Sequence, residues 1–196
     1  MSIEIEAKMR LPDLEAIEHK LQEASAQWVT ELMEVNTYFD TPQGQLKSTD
    51  QGLRIRLEQP SDAPPRVVLT YKGPRAHGQL KSRSEVELAV ENERDAAQLL
   101  AALGYQPVLS FQKRRRRWQL DSCLIELDTL PYLGDFIEIE GPSEQAVLTV
   151  RQKLGLEDLP LISASYITML QTHLREHHIR ATRITFQEHD SAAAAS

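Results

Sequence analysis

Residues 3–10 read Ile3-Glu4-Ile5-Glu6-Ala7-Lys8-Met9-Arg10, an alternation of apolar and charged side chains. In an extended strand the side chains at i, i+2 and i+4 share a face, so Glu4, Glu6 and Lys8 project together while Ile3, Ile5 and Ala7 project to the other side. The same period of two recurs over 35–40, 52–58, 66–72, 83–91, 110–120, 123–129 and 136–140, which predicts about eight strands. Turn chemistry separates them at Asp40-Thr41-Pro42-Gln43-Gly44, at Gly73-Pro74 and at Leu133-Gly134-Asp135. The proline-rich stretch 60–65 is a loop, because the strand pattern resumes directly after it.

Four segments carry helical spacing instead. Residues 12–26 open with Pro12 and align Leu14, Ile17 and Leu21, and residues 92–103 start at an Asn92 cap and stop at Gly104. A third runs from Ser143 through Val147, Val150 and Leu154 to Gly155, and a fourth spans 164–179 with Tyr166, Leu170 and Leu174 in line. Strands and helices together predict an α+β fold.

The composition sets bounds. A chain of 196 residues, 41% hydrophobic and 26% charged, is long enough for one domain with a real core, expected over 1–180. Residues 181–196, ending Ser-Ala-Ala-Ala-Ala-Ser, are expected to be a flexible tail. The N-terminus lacks the apolar block of a signal peptide and no apolar run approaches membrane-spanning length, so a cytoplasmic protein without a membrane partner is expected. A net charge of −7 argues against a protein that coats nucleic acid, although a small polyanion can still bind a locally basic cleft. The single cysteine, Cys123, rules out an internal disulfide and reads as a buried structural thiol.

The face that alternates with the apolar one is charged in almost every strand. Arg54 and Arg56 share it, as do Thr70 and Lys72; Arg83, Glu85 and Glu87; Lys113, Arg115 and Arg117; Glu126 and Asp128; and Glu138 and Glu140. With Glu4, Glu6 and Lys8 this makes eight basic and eight acidic groups. One reading is the solvated face of an ordinary antiparallel sheet. The other starts from the segregation of the charges, acidic beside acidic and basic beside basic, which costs repulsion unless ions of opposite sign intervene. A divalent metal with a phosphate chain would satisfy both sets, and eight strands suffice to close around such a ligand. A Glu-x-Glu strand also recurs at Glu4/Glu6, Glu85/Glu87 and Glu138/Glu140, as if the acidic strands of one sheet faced one another.

The string Lys113–Arg117 suggests nucleic-acid binding, but a strand would divide it, turning Arg114 and Arg116 away from Lys113, Arg115 and Arg117. His173 and His177, spaced i, i+4 with His178 adjacent, are compatible with zinc and equally with a solvated helix end. Trp28, Trp118 and Tyr71 read as packing residues, with Tyr71 placed next to Lys72.

The Glu4-Ile5-Glu6-Ala7-Lys8 segment resembles the first-strand signature of the CYTH family, the triphosphate tunnel metalloenzymes. Six further segments follow in family order: Tyr38–Thr41, Leu53–Arg56, Thr70–Pro74, Arg83–Glu87, Lys113 with Arg115, and Leu133–Glu140. The Thr70–Pro74 and Leu133–Glu140 segments are most similar to the class IV adenylyl cyclase branch, whereas Trp118 stands where the family usually has tyrosine. The resemblance implies an antiparallel eight-stranded β-barrel, the triphosphate tunnel, with flanking helices, and Mg²⁺ or Mn²⁺ as cofactor. It implies metal ligands at Glu4, Glu6, Asp128, Glu138 and Glu140, with Glu85, Glu87 and Glu126 beside them. Triphosphate would be held by Lys8, Arg54, Arg56, Lys72, Arg83, Lys113 and Arg115, of which Lys8, Lys72 and Arg115 are the candidate catalytic residues. The implied activity is conversion of ATP to cyclic AMP and pyrophosphate. The alternatives are an inorganic, thiamine or nucleoside triphosphatase, and a polyphosphate-binding module without turnover. Expected partners are therefore small triphosphates (ATP, tripolyphosphate or thiamine triphosphate), with a homodimer also open.

Overall fold

In a computed structural model, which describes residues 2–76 and 80–187, each alternating segment is a strand. They are β1 (Ser2–Arg10), β2 (Gln27–Asp40), β3 (Gly52–Pro60), β4 (Arg66–Arg75), β5 (Lys81–Val90), β6 (Gln106–Leu120), β7 (Cys123–Leu130) and β8 (Gly134–Glu140). Antiparallel pairing runs β2-β3-β4-β5-β1-β8-β7-β6, and a further β2–β6 ladder closes the ring into a barrel. Closure leaves no free edge, and it puts one face of every strand inside.

The outer face is the apolar one. Helix α1 (Leu14–Glu23) buries Ile17 and Leu21, and α4 (Glu144–Lys153) buries Val147 and Val150, in one cluster with Met9, Ile125, Ile137 and Ile139 of β1, β7 and β8. Between them, α2 (Gln45–Ser48) follows β2, and α3 (Glu93–Ala102) packs Ala96 and Leu100 against Phe39, Ile55 and Val67. Helix α5 (Tyr166–Glu176) sets Leu170 and Leu174 against Phe111, Leu130 and Phe136. Each fully buried aliphatic side chain is worth about 1.5–3 kcal/mol, so the outside of the barrel supplies the core. The expected caps form: Asn92 accepts the N–H of Asp95 at 2.8 Å and Ser143 that of Ala146 at 3.2 Å.

Three features depart from the expectations. β2 begins at Gln27, eight residues before the predicted start at 35, because a bulge between Trp28 and Thr30 interrupts the alternation there. Helix α2 follows the expected turn at Asp40–Gly44, in a stretch for which no element is predicted. In the segment expected to be a flexible tail, β9 (Arg183–Ile184) pairs parallel to β6 at Ser110 and Phe111, held by the buried side chains of Ile184 and Phe186. Residues 188–196 lie outside the described residues. Among the described residues no helix is long and apolar enough to cross a membrane.

Gly141 joins β8 to α4 under tight packing. A Cβ there would stand 2.7 Å from Cys123 Sγ and 3.0 Å from Val147 Cγ2, closer than side-chain contacts allow. Cys123 is fully buried, as expected, and burial pushes its thiol pKa up. Gly141→Ala is expected to lower stability by about 1–3 kcal/mol through overpacking, with part of the loss recovered in the Cys123→Ala background. Urea unfolding of the two variants and their combination checks this.

Candidate active site

The barrel interior is a cavity of about 660 Å³. Of the sixteen charged groups expected on one face, fifteen line it; Asp128 stands behind them, fully buried. The solvated-sheet reading therefore fails, because closure turns the charged face inward.

Two opposite walls differ in how their charges are matched. On the β6–β7–β8 wall Arg115 is the centre. Its Nε and Nη2 donate to Asp128 at 2.6 and 2.5 Å, Nη2 also meets Glu138 at 2.7 Å, and Nη1 pairs with Glu126. Lys113 bridges Glu34 at 2.9 Å and Asp128 at 3.4 Å. Burial alone would raise the pKa of Glu34, but Lys113 and Arg115 outweigh it and hold the carboxyl well below its usual range. Tyr166, from α5, donates its hydroxyl to Asp128 at 2.9 Å, and Lys8 Nζ lies 3.9 Å above its ring while pairing with Glu138 at 2.9 Å. Burial and the nearby Asp128 keep the phenol protonated.

The β3–β4–β5 wall is less completely matched. Lys72 pairs with Glu4 and Glu85, each at 2.9 Å, and Arg56 with Glu87 at 3.0 Å. Burial opposes the charge on Lys72, yet Glu4 and Glu85 more than compensate and raise its pKa. Arg54 Nη1 reaches Asn36 Oδ1 at 3.1 Å. The Nε–H groups of Arg54 and Arg83 are buried with no hydrogen-bond partner, a cost of about 1–3 kcal/mol each that an anion in the cavity would remove.

The acidic strands do face one another. β1 lies between β5 and β8, so the three Glu-x-Glu segments are adjacent, and Glu6 stands directly opposite Glu140. Glu140 is accordingly pushed up to about 7, by burial first and then by Glu126, Glu4 and Glu6. Among the described residues no three such side chains already form an ion cage. The donor set is nevertheless all carboxylate oxygen under like-charge repulsion, which fits a hard divalent cation. Asp128, also expected as a ligand, accepts hydrogen bonds from Arg115, Lys113 and Tyr166.

Four residues that matter here were not expected in the site. Glu34 and Asn36 precede Tyr38 at period two; a strand start at 35 leaves Glu34 out, Asn36 carries no charge to mark it, and Glu58 continues Arg54 and Arg56. Tyr166 was read as a core residue of its helix, and no local pattern reveals that its hydroxyl enters the charged network. The basic string divides as expected: Lys113 and Arg115 are buried inside, while Arg116 pairs outside with Glu18 at 2.9 Å and Arg114 packs over Phe186. On α5, His173 stacks between Tyr132 and His177. Trp118 is buried in the outer core with Trp28 edge-on against it, 5.1 Å between centroids, so neither lines the cavity.

A closed antiparallel barrel with a charged, phosphate-sized lumen and an oxygen-donor edge defines a tunnel enzyme acting on triphosphates. Residues 2–166 match the CYTH domain, and the chain belongs to that family. It is 30% identical over 181 residues to the adenylate cyclase CyaB of Aeromonas hydrophila, covering 87% of this chain and 90% of that protein. Among solved structures it superposes on the PH1819 protein of Pyrococcus horikoshii with a TM-score of 0.76 and 28% identity, covering 87% and 99% of the two chains. The fold is shared with HpAC1 of Hippeastrum, described as having a dominant triphosphatase activity, at a TM-score of 0.65 and 20% identity over 87% and 96% of the chains.

Two outcomes are expected from the charge balance. Glu140 binds a proton in the folded, metal-free protein up to about pH 7, whereas its ordinary value is 4.5. Between these values the folded state holds more protons, so the stability from this group is complete in mild acid and is lost as pH rises through 7. Urea unfolding in chelator should show that decline, and Glu140→Gln should flatten it. Across the β2–β6 seam, Glu34→Gln removes a carboxylate from Lys113, which keeps Asp128, and is expected to destabilise the fold by roughly 1–3 kcal/mol, read in the same assay.

Proposed function

We propose that this enzyme converts ATP to cyclic AMP and pyrophosphate. The observation that carries this reading is that the lining of the cavity is not charged throughout: Tyr38, Leu46, Val108 and Ile167 line it as well, and we read these four as an annex beside the charged lumen. A bare phosphate chain needs no such space, whereas a nucleoside does. The similarity to the Aeromonas adenylate cyclase supports the same choice.

Arg54, Arg56, Arg83 and Lys72 would grip the phosphate oxygens, the unpartnered Nε–H groups of Arg54 and Arg83 first. Lys72 exchanges Glu4 and Glu85 for phosphate, which frees Glu4 toward the cation. Glu4, Glu6 and Glu140, with Glu126 and Glu138 nearby, would hold the metal. Bound Mg²⁺ or Mn²⁺ supplies charge neutralisation and acidifies the ribose 3′-hydroxyl for in-line attack on the α-phosphorus. Lys72 stays protonated, so it serves as a fixed cation and not as a base. Arg115 and Lys113 are engaged by carboxylates, and we assign them to holding the wall upright, with Lys8 tying that wall to α5. Triphosphatase action is the second reading, since the same cations would orient a water toward the terminal phosphorus.

Product analysis with ATP and Mg²⁺ or Mn²⁺ decides between them. Cyclic AMP with pyrophosphate is expected; ADP with orthophosphate, or a wide preference for tripolyphosphate or thiamine triphosphate, would establish the triphosphatase instead. Glu6→Gln should abolish metal-dependent turnover with the fold intact, and Lys72→Ala should lower kcat/KM by roughly 10–100-fold through loss of one charge-assisted contact.

A further inference from the structure

Asp40 ends β2 at the mouth of the cavity, 5% exposed, where an acidic side chain would read as one more cation ligand. Its oxygens are already engaged. Oδ1 accepts the backbone N–H of Thr41 at 2.7 Å and of Leu46 at 2.9 Å, and Oδ2 accepts that of Lys47 at 3.0 Å. Thr41 Oγ1 accepts the N–H of Gln45 at 3.2 Å. Together these satisfy the first three N–H groups of α2, a helix of four residues whose cap, Gly44, is left-handed and offers no side chain. A helix this short does not hold by its own hydrogen bonds, and its first-turn donors need outside partners. Asp40 and Thr41 provide them.

Helix α2 in turn has two attachments. Leu46 packs on the cluster outside β3, and Lys47 Nζ donates to Gln171 Oε1 on α5 at 2.9 Å. Leu46, Lys47 and Gln171 all line the cavity, as Ile167 of α5 does, so α2 and α5 both contribute to its wall and are joined there by that hydrogen bond.

We propose that Asp40 is a positioning residue that holds α2 as the wall of the annex, and that it thereby sets the preference of the tunnel for a triphosphate bearing a nucleoside over the bare phosphate chain. This rests on reading the annex as the nucleoside side of the site. None of the sixteen charged groups expected on the inner face lies on α2.

The test is equilibrium binding by calorimetry, with Mg²⁺, of the bis(methylene) analogues of ATP and of tripolyphosphate, whose P–C–P links resist both cyclisation and hydrolysis. Asp40→Asn keeps the size of the side chain but points an NH₂ group at a backbone donor. It is expected to weaken the ATP analogue by about tenfold, the equivalent of 1.4 kcal/mol, and to leave the tripolyphosphate analogue within about twofold. Gln171→Met, which opens the link between α5 and Lys47 without removing a charge from the cavity, should act in the same direction with smaller size and guards against misfolding of the first variant. Equal losses for both ligands, or no change for either, would overturn the proposal. A wild-type protein that binds the two analogues equally would refute the nucleoside annex itself, whereas a wild-type preference that survives both variants would refute only the role of Asp40.

Discussion

The bidentate pair between Arg115 and Asp128, extended to Glu126 and Glu138, is the interaction on which the rest of this barrel depends. Closing a sheet over its own charged face removes those charges from bulk water, at several kcal/mol each unless they are matched. Arg115 spans β6, β7 and β8 and answers three carboxylates at once, and Lys113 carries the match to Glu34 on β2, across the seam that closes the ring. Through Asp128 the same network takes hold of Tyr166 and so seats α5 on the barrel end.

The facing wall stands in a different balance. Its arginines keep donors without acceptors, and its neighbouring carboxylates stand opposite one another on β1 and β8, with Glu140 carrying the repulsion as a raised pKa. Polar groups left in this state inside a protein mark a place where a ligand completes the structure. In the lumen Lys72 and Glu4 answer each other, so a metal-bound triphosphate would enter by exchanging partners that already exist and would create no new isolated charge.

Much of this was legible as period-two patterning. The shared face from Glu4 to Glu140 and the division of Lys113–Arg117 between two faces follow from side chains alternating across a strand, whereas the adjacency of the three Glu-x-Glu strands is a matter of strand order. What escaped has specific causes. The bulge at Trp28 hid the first half of β2 and with it Glu34. The helix that Asp40 builds lies where no element is predicted, because its stability comes from side chains outside it. Tyr166 shows helical spacing appropriate to a core residue, and its hydroxyl bond is made to a strand 38 residues away in sequence.

The sequence by itself therefore determined which side chains share a face and the chemical character of that face, since these depend on local alternation and residue type, while the closed barrel was implied only by the resemblance of its motifs to the CYTH family. Only the tertiary structure decided that Asp128 is a buried anchor, that the Nε–H groups of Arg54 and Arg83 on the β3–β4–β5 wall lack hydrogen-bond partners, and that side chains of α2 and α5 line the same cavity as the charges. Those properties depend on distances between residues far apart in the chain, fixed when the ring closes and each buried charge must find its partner.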